Sequence, residues 1–109
     1  MKRRIEDTLI KIGIPVGVVG FDYITDAVMF ISKNPNEKMM VVYHLVANRH
    51  NTTFSRVERA IRHAFSIARK SGDADTVFHY IGNSSRSKDS LYQLKMMIER
   101  EVEDEKNNS

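Results

Sequence analysis

Apolar residues recur along this chain at intervals of three and four positions, and alternation with a period of two is hard to find. Such spacing places the apolar side chains on one face of a helix, so it predicts an all-α fold. The first stripe consists of Ile5, Leu9 and Ile12, and the glycine and proline that follow are typical of a helix end. The apolar segment 12–20 is interrupted by glycines. We interpret it as a connector, because a single strand would have no partner.

The next two stripes have start and stop signals of their own. Asp22 is the expected N-cap of a second helix, whose stripe ends before the break at Asn34 and Pro35. A third helix is expected over about 36–48. Its inward positions are predicted to be Met39, Met40, Tyr43, Val46 and Ala47.

A tight turn at residues 50–52 precedes a long fourth helix, which Thr53 caps and Gly72 ends. A wheel of about 100° per residue divides this helix into two faces without exception. The apolar face holds Phe54, Val57, Ala60, Ile61, Ala64, Phe65, Ile67 and Ala68. The polar face holds Ser55, Arg56, Glu58, Arg59, Arg62, His63, Ser66, Arg69 and Lys70. The alanines favour close approach of a neighbouring helix.

The remaining chain predicts two more helices and a polar tail. Asp73 opens a short fifth helix that stops at Gly82, and a last helix follows the loop 84–89. The tail 103–109 is acidic and polar and is expected to fray. The sequence therefore predicts one all-α domain over 1–109, with about six helices and a helix-turn-helix at about 36–71, of the winged-helix-like type without a wing.

Charge singles out the fourth helix. The 109 residues carry a formal net charge of +3, from 17 Lys and Arg against 14 Asp and Glu. Residues 49–70 hold six basic residues and one acid, a net of +5, so the rest of the chain sums to −2. The end of the last helix, 99–106, has five acids and two basic residues, a net of −3. The basic character thus comes from one segment, which suggests a polyanionic partner.

A short helix, a tight turn and a longer helix with arginines near its start form the helix-turn-helix arrangement, whose second helix enters the major groove of DNA. Arginine donates to the two guanine acceptors, and a carboxylate accepts from the cytosine amino group. Glu58 beside Arg59 would therefore allow a guanine and a cytosine to be read together. A charged face is equally typical of a solvated helix, and Glu58 can simply pair with Arg62 at i,i+4. The wheel alone leaves both interpretations open.

The segment from Asn51 to Ala64 closely resembles the recognition-helix region of one known family. This family is the C-terminal effector domain of the stage-zero sporulation response regulator, the master transcription factor at the start of sporulation. The similarity covers roughly residues 5–98. It includes Ile12–Pro15, Gly20–Tyr23, Ala27 and Gly72–Gly82. The resemblance implies a six-helix domain that binds a short asymmetric DNA box, as a monomer in solution or as a dimer assembled on tandem sites.

The resemblance also implies roles for individual residues. Bases would be read by Ser55, Glu58, Arg59 and Arg62. Phosphates would be contacted by Asn51, Thr52, Thr53, Arg56, His63, Arg69 and Lys70. In the family, the helix after the recognition helix contacts the RNA polymerase sigma factor. The corresponding positions here are Asp75, Thr76, Phe78 and His79.

The chain departs from the family pattern in several places. Phe54 replaces a small residue or proline at the start of the recognition helix, residues 77–80 differ from the activating helix, and the last helix matches poorly. No receiver domain with a phosphorylatable aspartate is present in the chain, so phosphorylation in cis is not expected to regulate it. These departures motivate an alternative. In that alternative the chain is a protein-interaction module that binds RNA polymerase or a full-length family member without reading DNA.

Other kinds of chemistry find little support. The chain has no cysteine, which excludes disulfides and thiolate chemistry. The four histidines are not at metal-ligand spacing, and the glycines at 13, 17 and 20 do not form a nucleotide loop. We therefore predict neither an enzyme nor a cofactor. No signal peptide and no run of roughly 18 apolar residues is visible, so we expect a cytoplasmic, nucleoid-associated protein with no membrane partner.

Overall fold

The computed structural model describes residues 1–108, which form six α-helices and no β-strand. The helices are α1 (Lys2–Lys11), α2 (Val19–Lys33), α3 (Met39–Arg49), α4 (Phe54–Ser71), α5 (Ala74–Ile81) and α6 (Ser87–Asn107). The predicted all-α fold is confirmed, and the apolar segment after α1 is a connector that runs directly into α2. No helix of the described part of the chain is long and apolar enough to span a bilayer.

Helix α2 is central to the core, where it contacts α1, α3, α4 and α6. It approaches α4 closely at Gly20, where a Cβ atom would lie 2.3 Å from the carbonyl oxygen of Ala60 and 2.9 Å from the Cβ of Ala64. The alanine-rich face of α4 therefore receives a neighbouring helix at close range, as its composition predicts. This packing leaves the opposite, polar face of α4 toward solvent.

Helix α2 begins earlier than its sequence indicates. It begins at Val19, and its N-cap Val18 makes no capping hydrogen bond through its side chain, so the predicted N-cap at Asp22 is wrong. Gly20 and Phe21 are buried, which means that tertiary packing extends the helix toward its N-terminus. Asp22 lies within the first turn, where its charge still interacts favourably with the helix dipole.

Helix α3 is shorter and rotated relative to the prediction. Residues 34–37 form a turn in which the Glu37 amide donates to the Asn34 carbonyl at 3.1 Å, so the helix begins at Met39 rather than at 36. Met40 is 64% exposed instead of facing inward, and Val42 is buried in its place. Met40 lies about 100° around the helix from Met39 and therefore misses the buried stripe.

Helix α6 continues to Asn107, into the segment expected to fray. Its last turns contact α1, because Arg4 forms ion pairs with Glu101 and Glu105. The Tyr80 hydroxyl of α5 also donates to Glu101. These contacts favour the helical conformation at this end, and fraying of residues 103–109 stays a prediction, with Ser109 outside the described residues.

Candidate nucleic-acid interface

The turn between α3 and α4 is closed by a Schellman motif. Asn51 has a φ of 53°, in the left-handed region, which asparagine tolerates better than most residues. Its amide donates to the Asn48 carbonyl at 3.3 Å, and the Thr52 amide donates to the Ala47 carbonyl at 2.9 Å. The backbone of this turn is therefore fixed by hydrogen bonds, and α4 begins two residues later.

The start of α4 is held in two ways. Thr53 is its N-cap, and the Thr53 hydroxyl accepts a hydrogen bond from the Arg56 amide at 3.2 Å. Phe54 packs edge-on against Tyr43 of α3, with ring centroids 5.3 Å apart, and also contacts His44 at 4.9 Å. The large side chain at position 54 thus joins the first turn of α4 to the preceding helix.

The first half of α4 presents its polar residues on one exposed sector. Ser55, Arg56, Arg59, Arg62 and His63 are exposed. Within residues 1–108, the side chains of Arg56 and Arg59 have no hydrogen-bond or ion-pair partner. The base-reading candidates therefore lie together, directly after the fixed turn.

Glu58 is the half-buried member of this sector. Its carboxylate accepts a hydrogen bond from Arg62 at 3.3 Å, which is the i,i+4 pair that the sequence allows. On the other side it lies near Tyr43, whose pKa is raised to about 12 by burial and, to a smaller extent, by the charge of Glu58. The carboxylate is thus held by Arg62, with about a third of its side chain exposed.

The two basic residues at the far end of α4 differ from each other. Arg69 donates to the Ser90 hydroxyl at 2.8 Å and to the carbonyls of Ile81 and Gly82 at 3.5 and 3.4 Å, and burial lowers the pKa of its guanidinium. Its guanidinium therefore caps the end of α5 within the protein. Lys70 is exposed but lies about 16 Å along the helix axis from Arg59.

Three of the four residues proposed to contact polymerase face outward from α5. Asp75, Phe78 and His79 are exposed, and the exposed fraction of Phe78 is 59%. Thr76 is half-buried, and its amide and hydroxyl donate to the Asp73 carboxylate at 3.0 and 2.8 Å. These hydrogen bonds cap α5 and lower the pKa of Asp73.

A cluster behind the turn was missed by sequence reasoning. Asp26 of α2 is hydrogen-bonded to His50, and the Arg49 Nε atom lies 3.5 Å from the same carboxylate oxygen. The His50 ring also packs edge-on against Tyr23, with centroids 4.9 Å apart. No local signal could have revealed this cluster, because Asp26 precedes its partners by more than twenty residues.

Comparison with known families supplies one match. A family model described as sporulation initiation factor Spo0A C terminal matches residues 5–105 of the 109. The matched region begins in α1 and reaches the last turns of α6, so it includes α3, the turn at Asn51 and α4.

Proposed function

Because the chain belongs to the family of sporulation initiation factor Spo0A C-terminal domains, we propose that it is a sequence-specific regulator of transcription that binds double-stranded DNA. The family is one of DNA-binding domains of transcription factors. The observation that carries the finer proposal is one polar sector that follows a hydrogen-bonded turn. It consists of the exposed Ser55, Arg59 and Arg62 and the half-buried Glu58. A rigid turn before such a sector suits a helix that enters the major groove.

Each residue of this sector has a distinct chemical role in the proposal. The Arg59 side chain has no hydrogen-bond or ion-pair partner among residues 1–108, and in the proposal it donates two hydrogen bonds to the O6 and N7 atoms of a guanine. Glu58 accepts from the amino group of a cytosine, and its pair with Arg62 holds the carboxylate ready before DNA arrives. Ser55, in the first turn of α4, supplies a hydroxyl that donates to or accepts from a neighbouring base.

In the proposal, the DNA phosphates that flank the bases read by α4 are contacted by the turn before α4 and by residues of α4 outside the base-reading sector. This set comprises Asn51, Thr52, Thr53, Arg56, His63 and Lys70. Backbone and hydroxyl groups at a helix start are suited to phosphate because the helix dipole favours negative charge there. We leave Arg69 out of the set, because its guanidinium is already hydrogen-bonded to α5 and α6.

The proposal is tested by selecting a binding site from random DNA and then measuring affinity for that site and for random DNA. Arg59→Ala should cost about 1–3 kcal/mol on the selected site and relax the preference at one base pair. Lys70→Ala should weaken binding to both DNAs by a similar factor, because a phosphate contact carries no sequence information. Equal small losses of affinity on the selected site and on random DNA, for both variants, would refute the assignment of base contacts to residues of α4.

Helix α5 supports a second, compatible proposal, in which it binds the sigma factor of RNA polymerase. Phe78 is a large apolar side chain with 59% of its surface exposed, which is typical of a residue at a protein interface. Phe78→Ala should reduce retention of polymerase on the protein while leaving DNA affinity unchanged. If selection yields no DNA site and polymerase or a full-length family member is still retained, the chain is an interaction module instead.

A further inference from the structure

Asp26 is a carboxylate placed next to the most strongly basic segment of the chain. Its side chain is 13% exposed, and a single oxygen, Oδ2, contacts both Arg49 and His50. Arg49 is the last residue of α3, and His50 is its C-cap. The carboxylate of α2 therefore meets the residues that lead directly into the turn at Asn51.

The two partners of Asp26 differ in what they would do without it. The Arg49 side chain is 72% exposed, so it would be free to reach a phosphate of any DNA near the turn. The His50 side chain is 27% exposed and lies against Tyr23, so it joins the turn to α2 rather than to solvent. One carboxylate thus pairs with an exposed cation and, through His50, joins the turn to α2.

We propose that Asp26 is a positioning residue that limits binding to DNA of arbitrary sequence by competing with phosphate for Arg49. The inference rests on the DNA-binding function proposed above. Contacts to phosphate neutralise charge on every sequence alike, and each one steepens the salt dependence of binding. Holding Arg49 against Asp26 removes one such contact and leaves the base contacts of α4 in place. Asp26 therefore lowers the affinity for random DNA, and the affinity for the selected site by a similar factor, below what a free Arg49 would give.

The test measures binding to random DNA as a function of salt for Asp26→Asn. Neutralising the carboxylate should release Arg49, steepen the slope of log K against log salt by about 0.9, and raise affinity about fivefold near 0.1 M salt. Affinity for the selected site should rise by a similar factor, so the specificity ratio should stay unchanged. Asp22→Asn is the matched control, because it removes the same charge from an exposed position one turn earlier on α2 and should leave the slope unchanged.

The decisive comparison repeats Asp26→Asn in an Arg49→Ala background. If Asp26 acts through Arg49, the substitution should no longer change the slope there. The same change in both backgrounds, or no change in either, would overturn the proposal while leaving DNA binding intact. A reduced unfolding midpoint without a change of slope would also overturn it, since that result shows a structural role alone. Absence of any DNA binding by the unsubstituted protein would refute the proposed function and this inference together.

Discussion

Gly20 lies where α2 crosses α4, and the missing side chain sets the distance between the two helices. A Cβ atom there would be 2.3 Å from the backbone oxygen of Ala60, and a backbone atom cannot move aside as a flexible side chain can. Helix propensity alone favours alanine over glycine by up to about 1 kcal/mol. Steric overlap should outweigh that preference, because separating the helices would disturb the core on both sides.

We therefore expect Gly20→Ala to lower the free energy of unfolding by about 1–3 kcal/mol in urea denaturation. Gly17→Ala is the matched control, since nothing lies within 4 Å of the added Cβ, and its effect should be small. A stabilised Gly20→Ala variant would show that the helices do not approach as closely as described.

Tyr43 joins α3 to α4 and makes this contact sensitive to alkaline pH. Its pKa is about 12 in the folded protein, raised from 10.0 mainly by burial. A raised pKa means that the protonated phenol favours the fold. This contribution is complete below pH 10 and is lost as the pH rises from 10 toward 12.

Between pH 8 and pH 11, the free energy of unfolding of the Tyr43→Phe variant should therefore fall less than that of the unsubstituted protein, because a buried phenyl ring cannot ionise. Urea denaturation at the two pH values gives the comparison directly. Parallel losses in the two proteins would contradict the assignment of Tyr43 as the responsible group.

At the scale of whole elements, Asp73 determines where α5 begins. The two hydrogen bonds from Thr76 lower the pKa of Asp73 below 3.8, so the charged form is the better cap. The stability it supplies is present above pH 3.8 and is lost as the pH falls through the lower pKa of the folded state. Asp73→Ala should accordingly speed amide exchange in α5 at neutral pH, and the difference should shrink in acid. An effect independent of pH would exclude charge as the cause.

Local signals predicted the helix ends that depend on neighbouring residues. Thr53 and Asp73 were identified as N-caps because the amides they accept from lie three residues further on. The start of α2 was missed because it depends on contact between Gly20 and Ala60, forty residues apart. The candidate DNA interface likewise has features set by neighbouring residues and features set by contacts distant in sequence. The exposed sector of α4 could be derived from periodicity, whereas the restraint by Asp26 and the cap by Arg69 required the fold.

Over the whole molecule, charge is distributed unevenly among the helices. The acidic end of α6 is partly neutralised by ion pairs, from Arg4 to Glu101 and Glu105 and from Lys95 to Glu99 at 3.3 Å. The basic segment 49–70 retains several exposed cations after its own pairs with Asp26 and Glu58 are counted. DNA affinity should therefore fall steeply with salt, and measurement at three or more ionic strengths gives the number of phosphates contacted.

The guanidinium of Arg69 bridges α4 to the end of α5 and to Ser90 of α6. Because α5 is fixed relative to α4, a partner bound to α5 would lie at a fixed angle around the axis of a DNA duplex bound by α4. Displacing the binding site by about half a helical turn, roughly 5 base pairs, would carry that partner to the opposite side of the DNA, and a full turn of about 10 base pairs would bring it back. Output from a promoter should therefore oscillate with the spacing of its site, and Arg69→Ala should flatten the oscillation.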